Sequence, residues 1–239
     1  MRKLFLLSLA ILLSCSLAHA TLAFDAHSAS QTSPYTHTPA GTPAAVIQYV
    51  HQFADLTDNG YTCTYGGVSI PRVTFAVKDG TTEDVAIYSY ALFSGIPTGA
   101  QSVACTGGGH FITYTATGTG TLRLAGTSGY CVIQVESSTD ESCSITGIAG
   151  ASLGFIGMTY SCNGTGFTGP ITGWTEGDDT DRGAWIAWSA YMTAEQASGN
   201  ITAGFTTNCG IQARVAIGIG IEEVPVVSGR PARKPVQID

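Results

Sequence analysis

Two acidic clusters in this sequence have the residue types and spacing that suit metal binding. They follow Phe75 and Trp174 respectively, and consist of Asp79, Glu83 and Asp84 in the first and Glu176, Asp178, Asp179 and Asp181 in the second. Extracellular calcium is bound by carboxylate and carbonyl oxygens of flexible loops. The clusters therefore predict Ca²⁺ as the one candidate cofactor, although no EF-hand spacing is present and solvated turn residues explain the same letters.

Aromatic residues concentrate beside the second acidic cluster. On a strand over residues 184–192, Trp185 and Tyr191 share one face and Trp188 lies on the other, because successive side chains of a strand alternate. If the Trp188 face is core, Trp174, Trp185 and Tyr191 form a flat ligand-binding platform of the kind that stacks on sugars. The alternative is that these rings pack in the core or between modules.

Catalytic motifs are weak in comparison. Residues 150–154 match the letters of a GxSxG nucleophile elbow, but no histidine follows His110 to complete a triad. Glu136, Glu176 and Glu195 are candidates for a glycosidase carboxylate pair by residue type alone. We therefore expect a non-enzymatic protein with no catalytic residues, and keep a secreted glycoside hydrolase as the alternative.

The sequence contains an internal similarity, which we call the echo, and it predicts the framework that positions these residues. The pairs Tyr61/Tyr160, Cys63/Cys162, Pro71/Pro170, Phe75/Trp174 and Ile87/Ile186 share one offset of 99 residues. Such self-similarity predicts a duplicated unit. Applied to the cysteines of an exported chain, it selects three disulfides: Cys63 with Cys105, Cys162 with Cys209, and Cys131 with Cys143.

Strand signals dominate the chain beyond Gly60. Runs rich in β-branched and aromatic residues are broken at short intervals by Gly, Pro, Asn or Asp. They predict strands over 73–78, 85–93, 101–105, 111–116, 121–124, 130–136, 157–162, 167–174, 184–192, 201–206 and 213–222. For residues 44–56 an amphipathic helix competes with a strand, and we favour the helix because Gln48, His51, Gln52 and Asp55 recur at helical spacing.

The two ends of the sequence are predicted to lie outside the folded domain. Residues 1–20 carry a basic start, an apolar run and the small-x-small site Ala18-His19-Ala20, which predict a secretory signal peptide. A lipobox reading, with acylation at Cys15, is the minor alternative. Residues 21–43 predict a flexible Ser/Thr/Pro leader in which His27 and His37 are solvated, and residues 225–239 predict a disordered tail.

The charge balance limits the partners. Between Ala44 and Val224 the sequence has five basic residues against fifteen acidic ones. This body should avoid nucleic acid and anionic lipid, and beyond the signal peptide no apolar run is long enough for a transmembrane span.

These features combine into one expectation of fold and function. We expect a mainly β protein, an Ig-like or jelly-roll sandwich of two repeated units of about 80 to 100 residues, over 44–144 and 145–224, with one short N-terminal helix. It should be secreted, extracellular or periplasmic, and act as a binding or adhesion module for a glycan or another protein. An inert structural or coat protein is the further alternative.

Overall fold

The computed structural model of the protein describes residues 22–53, 57–80, 84–137, 139–161, 167–183, 185–207 and 212–224. The regular elements within these ranges are strands in antiparallel sheets, which confirms the mainly β class. The described ranges include no helix with the length and apolar character needed to cross a membrane.

Residues 22–117 form two sheets. Their strands are β1 (Ala23–Ser30), β2 (Tyr35–His37), β3 (Ala45–Phe53), β4 (Cys63–Tyr65), β5 (Val68–Ile70), β6 (Arg72–Lys78), β7 (Val85–Leu92), β8 (Gln101–Cys105) and β9 (His110–Thr117). The first inner sheet has the order β1-β9-β3-β7-β6, and the first outer sheet has the order β2-β8-β4-β5.

Residues 121–224 form the other two sheets. Their strands are β10 (Thr121–Leu124), β11 (Tyr130–Ser137), β12 (Glu141–Ile145), β13 (Ser152–Tyr160), β14 (Phe167–Pro170), β15 (Thr175–Asp181), β16 (Ile186–Tyr191), β17 (Ile201–Thr207) and β18 (Gln212–Val224). The second inner sheet has the order β10-β18-β13-β16-β15, with β11 also paired to β18, and the second outer sheet has the order β12-β17-β14.

The four sheets stack as layers, with the inner sheets face to face. One core joins the inner sheets and includes Ile47 and Ile112 from the first half and Phe155 and Ile217 from the second. Two further cores lie beneath the outer sheets. This arrangement follows from strands whose two faces are both apolar, since each inner sheet must be covered on both sides.

Both halves place their strands in the same order. In the inner sheets, β9 lies between β1 and β3 as β18 lies between β10 and β13, and the far edge is β7-β6 or β16-β15. Strand pairing therefore divides the chain at residues 118–120. The predicted division at residue 144 differs because β10, β11 and β12 pair with β17 and β18.

The offset of the predicted echo does not align the inner sheets. Ile87 packs in the core between the halves, whereas Ile186 packs in the core beneath the second outer sheet. An offset one residue longer aligns Tyr88 with Trp188, and both of these side chains lie beneath outer sheets. A slip of one residue exchanges the faces of a strand, so near-identity of spacing is insufficient to fix a register.

The predicted helix over residues 44–56 is wrong where the structure describes it. Ala45–Phe53 is β3, a strand between β9 and β7, and its residues from Ala45 to His51 are buried. Gln48 and His51, taken as a solvated helix face, have hydrogen-bond partners in the interior. Burial between two strands suits the β-branched residues of this segment and outweighs the helical spacing.

Residues 22–43 are folded, in contrast to the predicted flexible leader. β1 pairs with β9 from Ala23 opposite Thr117 to Ser30 opposite Phe111. His37 is buried, while His27 is exposed as expected of a surface residue. The segment lacks apolar periodicity because it lies at the edge of a sheet and contributes polar side chains to the interior.

Two of the three predicted disulfides are present. Cys63–Cys105 joins directly opposed residues of β4 and β8, and Cys131–Cys143 joins β11 of the second inner sheet to β12 of the second outer sheet. Cys162 and Cys209, like the predicted signal peptide, Cys15 and the predicted tail, lie outside the described residues.

Candidate functional site

Trp185 lies between the two halves rather than on an exposed platform. Only 7% of its surface is accessible. Its ring stacks on Phe53 of β3, with centroids 6.0 Å apart and planes at 9°, and the Arg182 guanidinium carbon lies 5.8 Å from the ring centroid. Trp185 therefore seals the contact between the inner sheets, which is the packing alternative that the sequence left open.

Tyr191 remains at the surface, beside aromatic residues of the first half. It is half-buried, and its ring stacks on Phe24 of β1 with centroids 3.8 Å apart. The exposed His27 ring lies 6.0 Å from the Tyr191 centroid. We call Phe24, His27 and Tyr191 the junction cluster, because it combines side chains of both halves at one edge of the central sandwich.

Trp174 has a packing role. Its indole Nε1 donates a hydrogen bond to the carbonyl oxygen of Thr202, 3.1 Å away, and its ring packs on the core beneath the second outer sheet. A Cβ at Gly154 would lie 2.7 Å from the Trp174 ring, so this glycine makes room for the ring. Trp174 is half-buried like Tyr191, but it packs beneath the second outer sheet whereas Tyr191 packs on the core between the halves, so the three predicted rings do not share one platform.

The second acidic cluster lies on β15, an edge strand, and its carboxylates point to both faces. Asp178 faces inward and accepts a hydrogen bond from His110 Nε2 at 2.8 Å. Glu176 accepts one from the Trp188 indole at 3.2 Å. The Asp179 side chain lies at the exposed edge of the sheet. Partial desolvation of its carboxyl group, followed by repulsion from its acidic neighbours, raises the pKa of that group.

The predicted calcium ligands are not assembled into a metal centre. Among the described residues, no group of three or more His, Cys, Asp or Glu side chains is placed to hold a metal ion. In the first cluster Asp79 is exposed, Asp84 accepts a 3.4 Å hydrogen bond from the Gly80 amide, and Glu83 lies outside the described residues. The alternation of strand β15 separates the carboxylates that a loop would have brought together.

Two of the glycosidase candidates lie too far apart to form a catalytic pair. Glu136 and Glu176 lie on β11 and β15, at opposite edges of the second inner sheet with three strands between them. Strand spacing alone separates them by roughly 19 Å, against the ~5 to 9.5 Å that glycoside hydrolysis requires. Glu195 instead accepts a hydrogen bond from the Leu22 amide at 3.1 Å.

Buried histidines bridge the two halves, and no local sequence pattern indicates them. His51 Nδ1 lies 3.0 Å from Thr159 Oγ1 of β13, and its ring is 5.9 Å from that of His110, the opposite residue on β9. Burial, then the neighbouring His110, holds the pKa of His51 well below its ordinary value. His51 is therefore neutral at physiological pH and serves as a hydrogen-bonding group rather than a charge.

No family model, curated protein or solved structure matched this chain in the three comparisons with known proteins.

Proposed function

We propose that the protein is an exported, non-enzymatic β-sandwich binding module that recognises a glycan at the junction cluster. The observation that carries this proposal is the position of Tyr191: it is half-buried at the surface, and it stacks on an aromatic residue of the other half. Because the junction cluster contains side chains of both halves, the glycan site would form only when the two halves are packed together.

The chemistry around the junction cluster suits a neutral or basic sugar. Exposed Thr175 lies opposite Tyr191 on the neighbouring strand and offers a hydroxyl group. Sugar C–H groups can pack against aromatic ring faces while hydroxyl oxygens accept hydrogen bonds. The excess of acidic over basic residues between Ala44 and Val224, fifteen against five, disfavours anionic glycans.

We further infer that each half is a jelly-roll. An eight-stranded jelly-roll pairs its strands as two interleaved sheets of four. The sheets β1-β9-β3-β7 and β2-β8-β4-β5 follow that interleaving with β6 as an added edge, and β10-β18-β13-β16 with β12-β17-β14 repeat it. The predicted signal peptide and the two disulfides support an extracellular or periplasmic location.

A glycan array with matched variants tests the binding proposal. We expect His27→Ala and Tyr191→Leu to weaken binding of the best glycan by roughly tenfold, since an aromatic contact contributes about 0.5 to 1.5 kcal/mol. The control is Phe75→Leu, which changes a half-buried aromatic residue on the edge strand β6 of the first half. Equal losses in all three variants, or a wild-type protein that binds no glycan, would refute the proposal.

A further inference from the structure

Two neighbouring glutamates near the end of β18 are buried, with 2% of Glu222 and 5% of Glu223 accessible. Their side chains point to opposite faces of the strand. Glu222 has partners on both oxygens: Arg123 contacts Oε1 through Nε at 2.9 Å and Nη2 at 2.7 Å, and the Ala149 amide donates to Oε2 at 3.4 Å. Its negative charge is compensated.

Glu223 has no comparable compensation. Its Oε1 accepts a long hydrogen bond of 3.4 Å from the Thr119 hydroxyl. Its Oε2 is buried and has no hydrogen-bond partner in the described part of the chain. Removing a carboxylate from water without a counter-charge costs free energy. A cation beside Glu223 would offset that cost.

The chain beside Glu223 is rich in oxygen donors. Residues 118–120, Gly-Thr-Gly, connect the two halves and contribute one hydroxyl and three backbone carbonyl groups. The linker backbone approaches the carboxylate closely: a Cβ at Gly120 would lie 2.3 Å from Glu223 Oε1 and 2.8 Å from its Cγ. Only glycine permits this approach without displacing the glutamate side chain.

We propose that Glu223, the Thr119 hydroxyl and backbone carbonyls of the 118–120 linker bind a calcium ion. Calcium accepts a mixture of carboxylate, carbonyl and hydroxyl oxygens in flexible geometry, with water completing the shell. The ion neutralises the buried carboxylate and fixes the linker to the end of β18, and thereby the crossing between the halves. The site is separate from the acidic strand β15 and independent of glycan binding.

Thermal unfolding of the full chain, first in EDTA and then in CaCl₂, tests this site without any glycan. At a hundredfold excess of calcium over its Kd we expect the Tm to rise by about 5 to 10 °C. Glu223→Gln should abolish the rise, and in EDTA it should be at least as stable as the wild type because a buried charge is removed. Titration calorimetry should give one calcium per wild-type chain.

Three variants provide the matched comparisons. Glu222→Gln and Asp179→Asn, which alter a neighbouring buried glutamate and the predicted acidic cluster, should keep the calcium-dependent rise in Tm. Thr119→Val should weaken calcium binding several-fold even if Glu223→Gln proves difficult to fold. Calorimetry that detects no binding to the wild type, or a rise in Tm that persists in Glu223→Gln, would overturn the proposal.

Discussion

The two halves share one strand order but stabilise their interiors by different means. At the centre of the first inner sheet Gln48 is opposite Thr113, and the corresponding pair in the second inner sheet is Ile156 opposite Gly218. The first pair is polar and buried, whereas the second combines an apolar side chain with none. The same strand order is therefore compatible with a hydrogen-bonded interior beneath the first outer sheet and a closely packed apolar interior beneath the second.

The polar interior of the first half is a connected network. The Tyr35 hydroxyl donates to Gln48 Oε1 and also hydrogen-bonds the Thr113 hydroxyl, which itself donates to Gln48 Oε1. Next to it, His37 lies between Ser28 at 3.0 Å and Thr115 at 3.2 Å. Buried polar groups satisfied in this way rigidify a core, but they make it sensitive to loss of any one partner.

Small residues take the equivalent place in the second half. A Cβ at Gly218 would lie 2.7 Å from the Ala203 Cβ and 3.1 Å from Cys131 Sγ. The glycine-rich face of β18 thus admits the second outer sheet and the Cys131–Cys143 disulfide at close range. The difference between the halves indicates that acid should weaken the first and added volume the second.

Removing one disulfide from each half should give the largest effects. Loss of Cys63–Cys105, which closes a separation of 42 residues, should reduce the free energy of unfolding by about 4 kcal/mol in the chain-entropy model. Loss of Cys131–Cys143, with a separation of 12, should cost about 3 kcal/mol. Paired Cys→Ala variants compared by urea denaturation measure both, and a reversed order would show that the second half depends more on its crosslink.

Much of the strand pattern could be predicted from local sequence. Val85–Leu92, Gln101–Cys105, Thr121–Leu124 and Ile201–Thr207 appear within a residue or so of the predicted bounds. Such segments combine β-branched or aromatic residues with turn residues at both ends. The two observed disulfides could be predicted too, because the echo singled out one pairing of the exported cysteines.

The remaining features depend on partners that are distant in sequence. β1 and β15 are polar edge strands whose letters resemble loops, and only pairing with β9 and β16 makes them strands. His51 and His110 are buried because the other half supplies Thr159 and Asp178. No local pattern indicates such contacts, so the histidines were missed and Trp185 was placed on a surface that the first half covers.

Acidification should destabilise the first half selectively. Burial lowers the pKa of His37 to about 4 and holds that of His51 well below its ordinary value. The second half has no histidine, since none follows His110. The unfolded chain therefore binds more protons below about pH 6.5. The stability from these neutral histidines is complete above that pH and is lost as the pH falls toward 4.

The His37 contribution alone amounts to about 3 kcal/mol. Urea denaturation between pH 7.5 and 4.5 measures the loss, and hydrogen exchange locates it. We expect β9 to lose protection before β17, and His37→Gln to flatten the pH dependence. Simultaneous loss of protection in both strands would mean that the polar interior does not set the acid response.

A methyl group at Gly218 should test the packing of the second half. Gly218→Ala introduces a Cβ against Ala203 and should cost about 1 to 3 kcal/mol by overpacking. The double variant Gly218→Ala/Ala203→Gly removes the opposing Cβ and should recover much of that loss.

The matching test in the first half is Thr113→Val, which keeps the side-chain volume but leaves Tyr35 and Gln48 without one hydrogen-bond partner. We expect it to lower the free energy of unfolding by about 1 to 2 kcal/mol. Thr113→Ser retains the hydroxyl and should cost less.

The smallest effect should come from the exposed edge of the second half. Asp179 lies among Glu176, Asp178 and Asp181, and its raised pKa indicates that the folded state disfavours its charge. Asp179→Asn should therefore stabilise the protein slightly at pH 7, within about 0.5 kcal/mol because the position is exposed. Asp79→Asn, beyond the edge strand β6 of the first half, is the control.

A slightly unfavourable charge on β15 has a physical use. An unpaired edge strand can add to the sheet of another molecule, and charged side chains oppose this. We expect Glu176→Gln/Asp179→Asn/Asp181→Asn to increase light scattering at high protein concentration while the Tm stays equal or rises. An unchanged scattering signal would show that these charges do not protect the edge of β15 from pairing with another molecule.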